Sequence, residues 1–368
     1  MSAELEGTKE SVTDVIDLRG DWAAPPTPAM RRAMAEAEVG DDNSHEDPTV
    51  IRLEERAAEI LGKEAALFVP SGTMGNLVSI LALTEYGTEI ILGDRSHAYV
   101  YEVGSAAVIG GHPYRPVPND RFGGLNPRDV ESAIRPPNIH FPRTGLLMLE
   151  NTHNLCGGTV LSVELTRQLC ALAHAHGIPV HLDGSRIFNA AAALGVPAAE
   201  LARDADTVMF CLSKGLAAPV GSMVCGSAEV IERARQKRKL LGGAMRQAGV
   251  LAAAGLVALE QMIDRLPEDH ATARYLAEGL ALLPGFVVDL ETVQTNIVFC
   301  TLEPPLSAEA VAAALRDAGI RCSVFGAQQI RFVTHYAITR AHIDRVLSAL
   351  QQIVRELGGT RLAVGPNG

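Results

Sequence analysis

The sequence predicts an α/β fold, with a large domain on a mainly parallel sheet followed by a smaller α+β domain. Three observations carry this. Between about residues 48 and 240, short β-rich runs alternate with helical patterns, the order that βαβ units produce. Several of those runs are apolar on both faces, as strands covered by helices on either side must be. Beyond about residue 265 the order changes to helix, strand, strand, helix, strand, helix, and 368 residues suffice for two domains.

In chain order, residues 1–14 read as a polar, mobile segment, 15–264 as the large domain with its N-terminal arm, 265–358 as the small domain and 359–368 as a frayed tail. The expected strands are Ala65–Val69, Glu89–Leu92, Leu146–Glu150, Pro179–Asp183, Thr207–Cys211 and Ser222–Cys225. Helical patterns cover Pro48–Leu61, whose proline is tolerated in a first turn, Thr73–Leu83, and a long, largely buried stretch from Gln247 to Ile263. The basic run from Arg233 to Lys239 has the spacing of a solvated helix face. No internal repeat or low-complexity tract interrupts the pattern.

Composition narrows the function classes. Lysine and arginine number 32 against 43 aspartates and glutamates, a formal net charge of −11 that repels nucleic acid and anionic membranes. The first residues are acidic rather than apolar, and no segment reaches the roughly 18 apolar residues of a membrane span, so the cytoplasm is the expected compartment. Six cysteines without a C-x-x-C pair read as reduced thiols.

Three short stretches carry chemistry. The run AALFVP enters Ser71-Gly72-Thr73 at the start of a helix, where free N–H groups can cradle a phosphate, although Ser and Thr are also common helix caps. The strand of HLDGSR ends in Asp183, and strand ends of open α/β sheets are where ligands gather. A buried aspartate needs a partner, which a pyridinium N–H or Arg186 would supply. In CLSKG, Lys214 again follows a strand, where a partly desolvated amine can form a Schiff base. Cradle, strand-end Asp and strand-end Lys in this order are the parts that a pyridoxal 5'-phosphate (PLP) site needs.

Over about residues 15–355 the chain resembles the L-threonine aldolase group, in the beta-eliminating lyase family of fold-type-I, aspartate-aminotransferase-like PLP enzymes. The matching stretches include EDPTVIRLEERAAEILGKEAALFVPSGTMGN, ENTHN, HLDGSR, CLSKGLAAPVGS, LLGGAMRQAGVLAAAGL and IRFVTH. The resemblance implies that Lys214 carries the cofactor, that Asp183 pairs with its ring nitrogen, and that Ser71, Gly72 and Thr73 hold its phosphate. It implies that His97 stacks on the ring, and that Arg186, which also belongs to the cofactor site, binds the substrate carboxylate together with Arg331. His153 falls near the substrate hydroxyl as a base or water-orienting group. Arg246 reaches the cofactor phosphate of a neighbouring subunit in a homo-oligomer, a dimer or tetramer. A metal site from His153, His181 and Asp183 is conceivable, but the resemblance uses Asp183 otherwise and no metal is expected.

The match breaks at the substrate end. The family pattern DLRSDT reads Asp17-Leu-Arg19-Gly20-Asp21-Trp22, so a substrate-holding serine is Gly20, and a tyrosine that approaches from the partner subunit is Ser44. These changes point either to a rebuilt, roomier pocket with Trp22 and His45 as new walls or to ordinary drift within one activity. The implied reaction is cleavage of the Cα–Cβ bond of a β-hydroxy-α-amino acid, threonine-like or bulkier, to glycine and an aldehyde. β-Elimination, racemisation and transamination are the alternatives.

Overall fold

The computed structural model describes residues 15–359. The segment 1–14 lies outside the described residues, as does the expected tail apart from residue 359, which closes the last helix, Arg340–Gly359. In chain order the strands are β1 (Ile16–Asp17), β2 (Ala65–Val69), β3 (Glu89–Gly93), β4 (Tyr114–Val117), β5 (Thr144–Glu150), β6 (Val180–Asp183), β7 (Thr207–Cys211) and β8 (Ser222–Gly226). They continue with β9 (Phe286–Val287), β10 (Ile297–Leu302), β11 (Ile320–Arg321), β12 (Ser323–Val324) and β13 (Gln329–Val333).

Seven strands form one sheet in the order β2-β8-β7-β6-β5-β3-β4. Only β8 runs against the others, so the C-terminal ends of six parallel strands share one edge. All six expected strands lie in this sheet. The seventh, β4, escaped the sequence reading because Tyr-Arg-Pro-Val is short and contains Pro116, a strand breaker in sheet interiors. It is tolerated because β4 pairs only with β3, at the sheet's edge.

Local chemistry sets the helix boundaries. Pro48–Leu61 starts where the Asp47 carboxylate accepts from the N–H groups of Thr49 and Val50, and it stops at Gly62, whose φ of 63° favours glycine. The buried helix expected over Gln247–Ile263 spans Gly249–Gln261. The basic run lies on the helix Ala228–Leu240, but it is not simply a solvated face. Arg238 is only 1% exposed, donating to the Phe68 carbonyl and pairing with buried Asp42, while Arg235 pairs with Glu54.

A second sheet, β12-β13-β10-β9, is antiparallel and has its own core, including Leu276, Val298, Ile330, Phe332 and Val346. The start of the N-terminal arm packs there, since β1 pairs in parallel with β11 and both Ile16 and Leu18 are buried in that second core, whereas Ala24 and Met30 join the core of the large sheet. Directly after this strand the chain turns at Arg19–Trp22 and enters the site. Among the described residues, no helix is long and apolar enough to cross a membrane.

Candidate active site

The C-terminal edge of the parallel strands opens into a cavity of about 320 Å3. Ser71, Gly72 and Thr73 line it after β2, His97 after β3, and Ser213 and Lys214 after β7. Asp183, the last residue of β6, lies beneath, within electrostatic reach of His97 and Lys214.

The helix Gly72–Leu83 begins at the cavity wall, with Ser71 Oγ accepting from the Met74 N–H. The first-turn N–H groups of Gly72 and Thr73 have no acceptor within that helix, so they and the positive end of the helix dipole suit a phosphate. A Cβ on Gly72 would stand 2.9 Å from Cys211 Sγ, so glycine lets the helix start this close to β7.

Lys214 follows β7 in a loop turned by Ala217, whose φ of 61° is costly for a non-glycine residue, with the Ala217 N–H donating to the Lys214 carbonyl. The side chain is half-buried, and among the described residues its amine forms no hydrogen bond or ion pair. Asp183 is 1% exposed and accepts from Asn76 Nδ2 at 2.9 Å and from the Ser185 N–H at 3.0 Å. Burial would raise its carboxyl pKa, but the charges of His97 and Lys214 with these hydrogen bonds hold it below the ordinary carboxylate range. Asp183 therefore stays ionised at neutral pH.

Further groups brace this pair. Buried Glu102 accepts from Asn76 Nδ2 at 2.8 Å and lies 2.9 Å from His97 Nδ1. Burial alone would lower the His97 pKa, but the Glu102 contact and the charge of Asp183 leave it raised. His181 Nε2 faces Asn76 Oδ1 at 3.0 Å. An amide oxygen only accepts, so Nε2 carries the proton, Nδ1 accepts from the Thr207 hydroxyl, and the Asn76 amide is oriented with its donor toward both carboxylates. Burial lowers the His181 pKa to about 4 and keeps this ring neutral. Sequence reasoning missed Asn76 and Glu102, although a lone asparagine in the apolar run MGNLVSILAL and an acid five residues after His97 were visible signals.

Arg186 does not pair with Asp183, nor does it present a free carboxylate fork. Its Nε and Nη2 donate to buried Asp21 at 2.7 and 2.9 Å, which compensates its charge inside the protein. Asp21 also accepts from Asn296 Nδ2 at 3.2 Å, so it joins the arm, the loop after β6 and the segment before β10. Asp21→Ala would strand a buried guanidinium without its partner, and a loss of about 3–5 kcal/mol of stability is expected. Urea unfolding measures this, and parental stability in the variant would contradict it.

Arg331, on β13, meets no carboxylate among the described residues. Its Nη1 donates to Asn154 Oδ1 at 3.0 Å and its Nη2 to the Arg19 carbonyl at 3.2 Å, while Nε is buried without a partner. Burial and the like charge of Arg186 lower its pKa to about 10. Arg331 is thus an under-compensated cation suited to an anionic ligand.

The remaining expected residues lie elsewhere. His153 is 1% exposed and borders a separate small cavity with Ser96 and Glu150, its ring nitrogens unpartnered. It does not line the cavity that Lys214 lines. The room expected at Gly20 is filled, because a Cβ there would stand 2.1 Å from Trp22 Nε1. Ser44 Oγ donates to Asp41, which also pairs with exposed Arg246. His45 borders another cavity beside Glu54 and Arg235. None of Ser44, His45 and Arg246 lines the cavity of its own chain.

The comparisons with known proteins bear on the family and the fold. The beta-eliminating lyase family model matches residues 17–303. Low-specificity L-threonine aldolase 1 of Arabidopsis thaliana is 47% identical over 92% of this chain and 96% of its own length. The low specificity L-threonine aldolase of Escherichia coli K12 is 42% identical over 90% and 97%. In structure, the threonine aldolase of Leishmania major superposes with a TM-score of 0.80 at 20% identity, covering 92% of this chain and 99% of that one. With this likeness along nearly its whole length, the chain belongs to the beta-eliminating lyase family, in its L-threonine aldolase group.

Proposed function

We propose that the protein is a PLP-dependent carbon–carbon lyase that cleaves a β-hydroxy-α-amino acid, threonine-like in its backbone, to glycine and an aldehyde. One observation carries this reading. An unpaired lysine amine and a helix N-terminus line one cavity, and an ionised strand-end aspartate lies within electrostatic reach of that amine. The amine fits an aldehyde, the carboxylate accepts from a protonated pyridine, and the helix N–H groups donate to a phosphate. PLP, when bound, supplies an electron sink for the pair left on Cα as the Cα–Cβ bond breaks.

The chain's own residues do the rest. Lys214 would offer the amine that attaches the cofactor, and the ionised carboxylate of Asp183 would hold its ring nitrogen protonated. His97 would stack on the cofactor ring and, among the described residues, is the one imidazole lining the cavity. With Nδ1 engaged by Glu102, its Nε2 is the nitrogen free to handle the substrate's hydroxyl proton as the C–O bond becomes the aldehyde carbonyl. Arg331 would hold the α-carboxylate, and Arg186, paired with Asp21, lies within electrostatic reach of Arg331.

Arg246 and Ser44 serve a neighbouring copy in a homo-oligomer, and the compartment is the cytoplasm. What supports the assembly is that the Arg246 side chain is 75% exposed, shares Asp41 with Ser44 and stands outside the cavity of its own chain. Arg246→Ala is expected to weaken PLP binding by about 1.5–3 kcal/mol, the scale of a charge-assisted hydrogen bond. Titration of the apoenzyme with PLP measures it, and unchanged affinity would remove Arg246 from the phosphate site.

The reaction is tested by product analysis with a panel of β-hydroxy amino acids and β-substituted alanines. Equimolar glycine and aldehyde are expected. Pyruvate and ammonia from a β-substituted alanine, with no glycine from any β-hydroxy substrate, would replace aldol cleavage by elimination.

A further inference from the structure

Trp22 stands on the short turn Asp21–Ala23 that follows the arm. Its indole is folded back over Gly20, and Nε1, Cδ1 and Cε2 lie 2.1, 2.5 and 2.8 Å from the point where a Cβ of residue 20 would be. Only the absence of a side chain at Gly20 allows this. Gly20 has an extended backbone, with φ −176° and ψ 155°, so room for the ring rather than backbone freedom is what glycine supplies here. The Arg19 guanidinium lies 5.2 Å from the ring centroid and is itself held by Asp17 at 2.9 Å, which braces the indole from another side.

Two features make this arrangement more than packing. Among the described residues, Trp22 Nε1 donates to no acceptor, and an indole N–H can only donate. The peptide under the ring is also the one that Arg331 grips. The guanidinium donates to the Arg19 carbonyl, while the indole nitrogen lies against the next α-carbon, Gly20. A solvent-facing N–H and an under-compensated cation therefore both meet the Arg19–Gly20 peptide, so an anion held by Arg331 beside that peptide would have a second donor at hand.

We propose that Trp22 is a substrate-binding residue, its Nε1–H donating to the α-carboxylate that Arg331 attracts. The inference rests on the reading that the cavity takes an amino acid, and it adds a second donor to the carboxylate site. The ring that fills the space over Gly20 also supplies a hydrogen bond that a side chain at residue 20 would otherwise offer. It gives the half-exposed Trp22 a task that packing alone does not, since its side of the turn contributes little to either core.

The test is equilibrium binding to the PLP-loaded protein, followed by the change in its visible absorption, with glycine and ethylamine as probes. Trp22→Phe keeps an aromatic ring and removes the donor. It is expected to weaken glycine binding about tenfold, the scale of one hydrogen bond to a charged group, while ethylamine, which has no carboxylate, binds as it does to the parent. Gly20→Ser combined with Trp22→Thr places a hydroxyl on residue 20 and opens the room for it, and glycine affinity should return to within about threefold of the parent. Parental glycine affinity in Trp22→Phe would overturn the proposal and leave the amino-acid reading standing. Equal losses for both probes would overturn it in favour of packing. If the parent itself bound glycine no better than ethylamine, the carboxylate site assigned to Arg331 would fall, and the role of Trp22 with it.

Discussion

Lys214→Ala is expected to abolish the visible absorption of the PLP-loaded protein and to lower turnover at least about a thousandfold, some 4 kcal/mol at 1.36 kcal/mol per factor of ten. The reason is positional as well as chemical. Among the described residues, Lys214 is the one lysine that lines the cavity, and its amine is not consumed by an ion pair. Lys63 is the instructive contrast. Burial lowers its pKa, which by itself favours a reactive amine, but the group donates to the carbonyls of Arg203 and Ala205 and stands outside the cavity. A visible band that survives Lys214→Ala would place the attachment elsewhere.

The second large effect is expected at Asp183. Removing its carboxylate in Asp183→Ala leaves Lys214 able to attach the cofactor, so the visible band should persist, perturbed in position. Turnover should nevertheless fall by about 10²–10⁴-fold, the range of a single proton-holding group, because the ring no longer keeps its proton. The direction of the Asp183 pKa sharpens this. Held below the ordinary range, the carboxyl remains charged as pH falls through the values where exposed aspartates titrate, so an acid limb in the pH–rate profile near those values would not come from Asp183. Normal turnover in the variant would make the residue structural.

The fold was legible because the parallel strands are buried on both faces and read as apolar runs, whereas β4 was hidden by Pro116 at an edge where the usual rule relaxes. The small sheet was legible only in outline, and nothing in the local pattern of Ile16–Leu18 shows that the arm packs into its core. At the site, residues just past strand ends could be found by position, since Gly72, Asp183 and Lys214 converge through topology alone. What could not be read was which charges would meet. Arg186 and Asp21 are 165 residues apart in sequence and neutralise each other in the fold, which leaves Arg331 as the under-compensated cation. His153 sits three residues past β5, yet it is buried with both ring nitrogens unpartnered and does not line the cavity of Lys214. The departure at Gly20 suggested an emptier pocket, and only the fold shows that Trp22 occupies the space.

The measurement that bears most directly on the central claim is borohydride reduction of the PLP-loaded protein followed by peptide mass spectrometry. Reduction fixes the cofactor to whichever amine holds it. The account requires a single pyridoxyl adduct, on the peptide that carries Lys214, and its loss when an excess of amino-acid substrate is present before reduction. An adduct on Lys63 or another lysine, or no adduct under saturating PLP, would contradict the assignment of this cavity as the catalytic site.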